Sequence, residues 1–357
     1  MKKNFLTFFF FSLSFFSLSG KENGLLYFQQ EVNYKINVLL NDNNHELIAD
    51  ETLEYTNNSP DELTFIWFHL WPNGYSNSNT AFGKQFLEDG NTSFYFADVK
   101  DCGYIDGLDF KVSGQKVEIK YHPDYTDICK IILNQPLKPG EKIIITTPFH
   151  VKIPKGIFSR LGHIGQQYQI TQWYPKPAVY DKYGWHPMPY LNQGDFYSEF
   201  GIYDVFITLP KNYVVGATGD LADAENETKW LDKKAEETKN MKVFPYKDTF
   251  LISSSETKTL HYHQEKIHDF AWFADKRYYV MKSEVELPYT KRKVTTWVMF
   301  TGSNGHLWKK ATKYVNDAVF YFSKWNGEYP YNHCTAVDGA LSAGAGMEYP
   351  NITVIGR

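Results

Sequence analysis

The sequence predicts a mainly β protein that turns to α/β near its end, and three observations carry that prediction. Runs of period-two hydrophobicity recur between residues 32 and 153, and alternating apolar and polar side chains mark a half-buried strand. Aromatic residues make up 17% of the 357 residues, and such rings suit β-rich cores and aromatic-lined clefts. A helical repeat of useful length first appears at Leu307–Phe322.

Residues 1–20 read as a secretory signal peptide, with Lys2 and Lys3 as the basic start, Phe5 to Leu18 as the apolar core, and small residues to Gly20. The apolar run falls short of the roughly 20 residues of a membrane span. The mature protein is therefore expected to be exported, periplasmic or extracellular, with no transmembrane segment once the signal is removed. From residue 24 to about 287 the pattern is that of one antiparallel β-domain. "VNYKINVLL" alternates at Val32, Tyr34, Ile36, Val38 and Leu40. "LTFIWFHLW" (63–71) reads as a strand buried on both faces and closed by Pro72-Asn73-Gly74. Strands are also expected at 116–122, 129–134 and 141–153, with no useful helix among them.

Between Gln166 and Gly219 a ring- and proline-rich segment predicts a long ordered loop followed by a strand through Tyr203, Val205 and Ile207. The charged run Asp223–Lys242 predicts an exposed hairpin or loop. Residues 288–357 change character. Leu307, Ala311, Tyr314, Ala318 and Phe322 fall on one helical stripe with Val315 and Val319 beside it, Asn304 placed to cap the start and Gly327 with Pro330 the end.

The final stretch, "SAGAGMEYPNITVIGR", places a small-residue bend before a β-branched run. Gly344, Ala345 and Gly346 let backbone approach a ligand closely. Met347 can fill an irregular apolar gap. Glu348 sets one anion beside a strand edge, suited to the α-ammonium of an extended peptide.

The neighbouring residues give the bend a likeness. "YFSKWNGEYPYNHCTAVDGALSAGAGMEYPNITVIG" resembles the segment of zinc aminopeptidases of peptidase family M1, the aminopeptidase N and leukotriene hydrolase group, that leads into their Gly-Ala-Met-Glu-Asn strand. Gly327, Tyr329-Pro330-Tyr331 and the strand at Ala336-Val337 fit that lead-in, which in the family ends in an edge strand. Gly346, Met347, Glu348 and Pro350 match, while Ala345 and Tyr349 depart from the usual Gly and Asn. "ITQWYPKPAVYDKYGWHP" is similar to the family's Thr-Gln-Phe-Glu-Pro segment at Thr171, Gln172, Trp173 and Pro175, with Tyr174 where a second amine-binding Glu or Gln is usual. "HDFAWFADKRY" (268–278) is similar to a segment near the end of the family's first domain.

The resemblance implies a β-sandwich or saddle-like domain of aminopeptidase N type over residues 24–287, followed at 288–357 by the beginning of a thermolysin-like α/β catalytic domain. It implies peptide substrates bound by Glu348, Met347, Gly346 and Ala345, with Gln172 and Tyr174 flanking the cleft. It also implies one zinc ion. The His-Glu-x-x-His ligand motif is absent from these residues, so we expect a fragment whose zinc ligands lie beyond Arg357, inactive by itself. The alternative is a non-catalytic peptide-binding relative that has lost those ligands. A third reading is an aromatic-rich β-sandwich that binds glycans.

Net charge of −4 with mixed signs excludes a nucleic-acid footprint. Cys102 and Cys129 could form one disulfide, and Cys334 would remain. His261 and His263 would share a strand face near Glu265 and His268, and could meet a metal; ordinary hydrogen-bonded strand histidines are the reading taken. Asp195, Glu199, Asp204 and Asp220 lack the paired spacing of a glycosidase. The Asn91, Asn226 and Asn351 glycan-acceptor patterns are discounted because the leader has a bacterial look.

Overall fold

The computed structural model describes residues 27–194, 196–339 and 346–356. The signal peptide, Asp195 and the bend residues Gly344 and Ala345 lie outside them. The chain is mainly β, with several antiparallel sheets. Strand Glu31–Asn41 turns Val32, Tyr34, Ile36, Val38 and Leu40 inward, as its alternation requires. It pairs antiparallel with Glu46–Thr56 and, on its other edge, parallel with Gly201–Pro210. These strands centre a nine-stranded sheet.

A four-stranded sheet built on Leu63–His69 and Ile128–Leu137 packs into the same core. A second one, of Gly162–Ile164, Gln167–Ile170, Trp272–Asp275 and Val214–Ala217, links that core to the C-terminal part. Val214 and Phe273 on it, with the adjoining Ala271, share a buried cluster with Met299, Val337, Ile352 and Val354 of the last sheet. That five-stranded sheet runs Tyr279–Glu286, Lys293–Phe300, His333–Asp338, Ile352–Ile355 and Gly346–Tyr349. Sheet membership therefore changes at Tyr279, ahead of the boundary read at 287.

Several expectations are overturned. Leu63–His69 is not buried on both faces: Phe65 and Trp67 are half-exposed, with the Lys130 ammonium 4.8 and 5.1 Å from their ring centres. A helix, Ala81–Glu88, interrupts the β-domain, capped by the Thr80 hydroxyl, which accepts from the Gly83 amide. The charged run is helical over Glu225–Lys239. Ion pairs Lys229–Glu225 and Lys233–Glu237 lie one turn apart, and Leu231 is buried against the last sheet. All three cysteines are free, and burial pushes the Cys129 thiol up to about 12 and Cys334 up to about 11, so neither is a ready nucleophile.

The C-terminal helix also faces differently from its predicted stripe. Over Ala311–Asn326 it buries Ala311, Val319 and Ser323, with Val315 half-covered, and ends at Gly327, whose φ of 108° a side chain would resist. Leu307, Tyr314 and Phe322 point outward at 62, 59 and 62% exposure. Asn304 caps nothing; its amide donates to both oxygens of Asp338. Among the described residues no helix is long and apolar enough to cross a membrane.

Candidate functional site

The hairpin Gly346–Tyr349 and Ile352–Ile355 builds one wall of the site. Its turn is Pro350-Asn351, where Asn351 takes a φ of 49°, a conformation asparagine tolerates better than most residues. The Asn351 side chain ties the hairpin to the first domain, accepting from the Gly219 amide (2.9 Å) and donating to the Gln264 side chain (2.9 Å). Asn351 is 4% exposed with both ends of its amide engaged, so its glycan-acceptor pattern has no accessible nitrogen.

Gly346–Tyr349 is the outer strand of its sheet and pairs only with Ile352–Ile355 among the described residues. The strand containing Ala336-Val337 lies inside the sheet, not at its edge, so the free edge belongs to the Gly-Met-Glu residues themselves. A Cβ at Gly346 would lie 3.1 Å from the end of the Ile355 side chain, a tight contact that a small shift of that side chain would relieve. Glu348 is exposed and has no hydrogen bond or ion pair among the described residues.

A cavity of about 500 Å³ opens beside this edge. Met347, Glu348 and Gln172 all line it, so these three sequence-predicted residues meet at one place. Gln172 is 3% exposed and holds a φ of 49°. Its amide nitrogen donates to Asp269 (3.0 Å), and its oxygen faces the Tyr349 hydroxyl at 3.5 Å. The strained backbone is thus held by bonds at both ends of the side chain.

Tyr174 does not flank the cavity. Its ring is 1% exposed within the first domain's core, and its hydroxyl donates to Asp269 (2.9 Å) and lies 3.2 Å from the Tyr203 hydroxyl. The strand ends at Ile170 and Gln172 is left-handed, so the alternation that would set residues 172 and 174 on one face does not hold. Tyr174→Phe is therefore expected to lower stability by about 1 kcal/mol through one lost hydrogen bond. Preference between free and N-blocked peptides should stay unchanged, as paired denaturant melts and ligand titrations would show.

Asp269 is the principal residue that sequence reasoning missed. It lies in the cavity wall, 7% exposed, and accepts from Gln172, Tyr174 and the Phe270 amide (2.9 Å). The buried Lys176 ammonium sits 3.0 Å away and also donates to the His268 carbonyl (2.6 Å). Burial alone would raise the carboxyl's pKa, but Lys176 and the Tyr174 hydroxyl bring it below the usual aspartate value. A signal was present in "HDFAWFAD": a carboxylate entering an apolar strand needs a buried counter-charge.

His268 stacks on Phe200, ring centres 5.3 Å apart. Burial and the nearby Lys176 hold its imidazole below the ordinary value against the pull of Asp269. Its Nδ1 is buried without a hydrogen-bond partner among the described residues. Phe196 and Ser198 face the cavity with Phe200. Between them Glu199 turns inward, where burial lifts its carboxyl to about 8. A larger cavity, about 910 Å³, lies between helix Glu225–Lys239 and the last sheet. Its wall mixes lysines, glutamates and threonines without a converging set, so the smaller cavity is the better candidate.

No family model matches the chain, and no curated protein matches it. Solved structures do. A variant of an M1 zinc metallopeptidase from Deinococcus radiodurans is 13% identical with a TM-score of 0.54, over 92% of this chain and 60% of that one. A two-domain M1 zinc metallopeptidase variant bound to L-arginine gives the same values. The unsubstituted Deinococcus radiodurans protein is 14% identical with a TM-score of 0.52, again over 60% of its length. At such identities the likeness is one of fold. A zinc ion does not fit the described residues: no group of three or more His, Cys, Asp or Glu is placed to hold a metal. His261 Nε2 and His263 Nδ1 both contact one oxygen of Asp204, at 2.8 and 3.0 Å, as hydrogen-bonded strand histidines. By fold, this chain stands in the neighbourhood of the M1 zinc metallopeptidases.

Proposed function

We propose that this chain is the amine-recognising part of an exported zinc aminopeptidase that removes residues from peptide N-termini. The observation that carries the reading is Glu348, a carboxylate without a hydrogen bond or ion pair among the described residues, on a strand edge unpaired among those residues and beside a cavity. A peptide laid along Gly346–Glu348 would pair its backbone with that edge. Its α-ammonium would meet Glu348, a charge-assisted contact of roughly 1.5–3 kcal/mol. Gln172 would shape the opposite wall, its amide turned inward by Asp269. Neighbouring structures hold L-arginine in one case and a Tyr-Ser-Ala substrate in another, which supports a ligand with a free amine.

The reading places the zinc ligands in polypeptide following Arg357, so no hydrolytic step is assigned to the residues described. Export is proposed from the basic, apolar leader at residues 1–20.

The test is hydrolysis by the product of the complete gene, assayed on leucine p-nitroanilide and its N-acetyl form with and without a chelator. Release from the free amine alone, abolished by chelation, supports the aminopeptidase. Equal release from the blocked substrate overturns it. Binding of free-amine peptides without hydrolysis would favour the non-catalytic peptide binder.

A further inference from the structure

We propose that the cavity beside Glu348 accommodates an aromatic or large apolar side chain, so that the preferred ligand is a peptide beginning with Phe, Tyr, Trp or Leu. The proposal rests on the reading of Glu348 as amine receptor and adds the side-chain class. Six of the side chains that line the cavity, Phe196, Phe200, His268, Tyr329, Tyr331 and Met347, carry a ring or a thioether.

The phenols present rings rather than hydroxyls. Tyr329 donates its hydroxyl to the His333 carbonyl (3.0 Å), and Tyr331 donates to the Lys266 carbonyl (3.4 Å). The two rings stand edge to face, 5.5 Å apart at 81°, an arrangement that a third ring can join by the same edge or face contacts. Phe200, 44% exposed and stacked on His268, offers a second flat surface.

The polar groups of the wall are largely engaged elsewhere. Asn351 bonds to Gly219 and Gln264, and the Thr353 hydroxyl donates to the Met347 carbonyl (3.0 Å). Asp269 is saturated by Lys176, Gln172, Tyr174 and Phe270. His268, its imidazole depressed by burial, adds a neutral ring. A cationic side chain would find Asp269, already paired, and Glu348, engaged by the ligand's own α-ammonium, whereas a hydrocarbon one would displace water from the ring and thioether surfaces. An anion at the mouth, unpartnered among the described residues, with rings behind it matches an ammonium and an apolar side chain carried on the same carbon.

The experiment is calorimetric titration of the whole chain with L-phenylalanine amide, L-alanine amide, L-lysine amide and N-acetyl-L-phenylalanine amide. Phenylalanine amide is expected to bind about 10- to 100-fold more tightly than alanine amide, the range expected for burying a phenyl group instead of a methyl. Phe200→Ala should reduce the phenylalanine affinity several-fold and leave alanine amide unchanged, with a thermal melt showing that the variant folds. Equal affinity for alanine and phenylalanine amides, or tighter lysine binding, overturns the proposal while leaving the amine reading intact. Equal binding of the acetylated and free phenylalanine amides removes the amine reading but retains the apolar cavity. Absence of binding by either aromatic ligand overturns both.

Discussion

Glu348→Ala is expected to weaken binding of free-amine amino acid amides by about 10- to 150-fold, the range equivalent to losing a charge-assisted contact of roughly 1.5–3 kcal/mol. Folding should hardly notice. Glu348 is exposed and makes no hydrogen bond or ion pair among the described residues, and surface substitutions of this kind stay within about 0.5 kcal/mol. The strand itself is held by backbone pairing to Ile352–Ile355 and by the buried Tyr349, none of which the substitution touches. Glu348→Gln keeps the length and an acceptor oxygen while removing the charge, so it should fall between wild type and alanine. Affinity for N-acetylated ligands should not change in either variant. Calorimetry on the three proteins, with urea melts beside it, separates the outcomes: unchanged affinity for the free amine would show that Glu348 receives no ammonium.

Much of the fold was legible because the signals were local. The alternation of Glu31–Asn41 needs only a core on one side, and the structure supplies it. The parallel pairing of that strand with Gly201–Pro210 could not be read, since it joins residues some 170 positions apart and no turn connects them. The charged run failed for a different reason. Over Glu225–Lys239 its apolar content is one Trp, one Leu and one Ala in a field of Glu and Lys, too thin a stripe to reveal a helix. The ion pairs one turn apart and the burial of Leu231 against the last sheet nevertheless settle it. In the C-terminal helix two apolar stripes compete. The larger side chains, Tyr314 and Phe322, drew the sequence reading, but the β-branched Val315 and Val319 fit the sheet more closely.

The site divides along the same line. Met347 and Glu348 were readable because they are adjacent and sit on one strand. Gln172 was found through likeness to a family segment, and it does reach the cavity. Tyr174 was misplaced because a single left-handed residue, Gln172, redirects everything after it, and nothing in the side chain of glutamine announces positive φ. Asp269 was missed because its meaning depends on Lys176, which is 93 positions away in the chain and 3.0 Å away in space.

That pair carries the largest stability effect expected here. Asp269→Ala would leave the Lys176 ammonium buried at 2% exposure with only the His268 carbonyl and the Trp71 and Tyr174 ring faces around it. Breaking a buried pair in this way is worth about 3–5 kcal/mol of destabilisation. Gln172, Tyr174 and the Phe270 amide would lose their acceptor as well. Lys176→Met should cost less, because Asp269 would keep three donors. The double variant Lys176→Met with Asp269→Asn should recover part of the loss, since it buries no unpaired charge. The pH dependence has a definite sign. The carboxyl of Asp269 lies below its ordinary value in the folded state. Its contribution is therefore present above the unfolded value of about 3.9 and is lost as pH falls through the lower folded value. Urea melts between pH 3 and 7 should show wild type losing stability on acidification more steeply than the double variant. An Asp269→Ala protein that melts within about 1 kcal/mol of wild type would mean that water or a rearranged Lys176 relieves the buried charge.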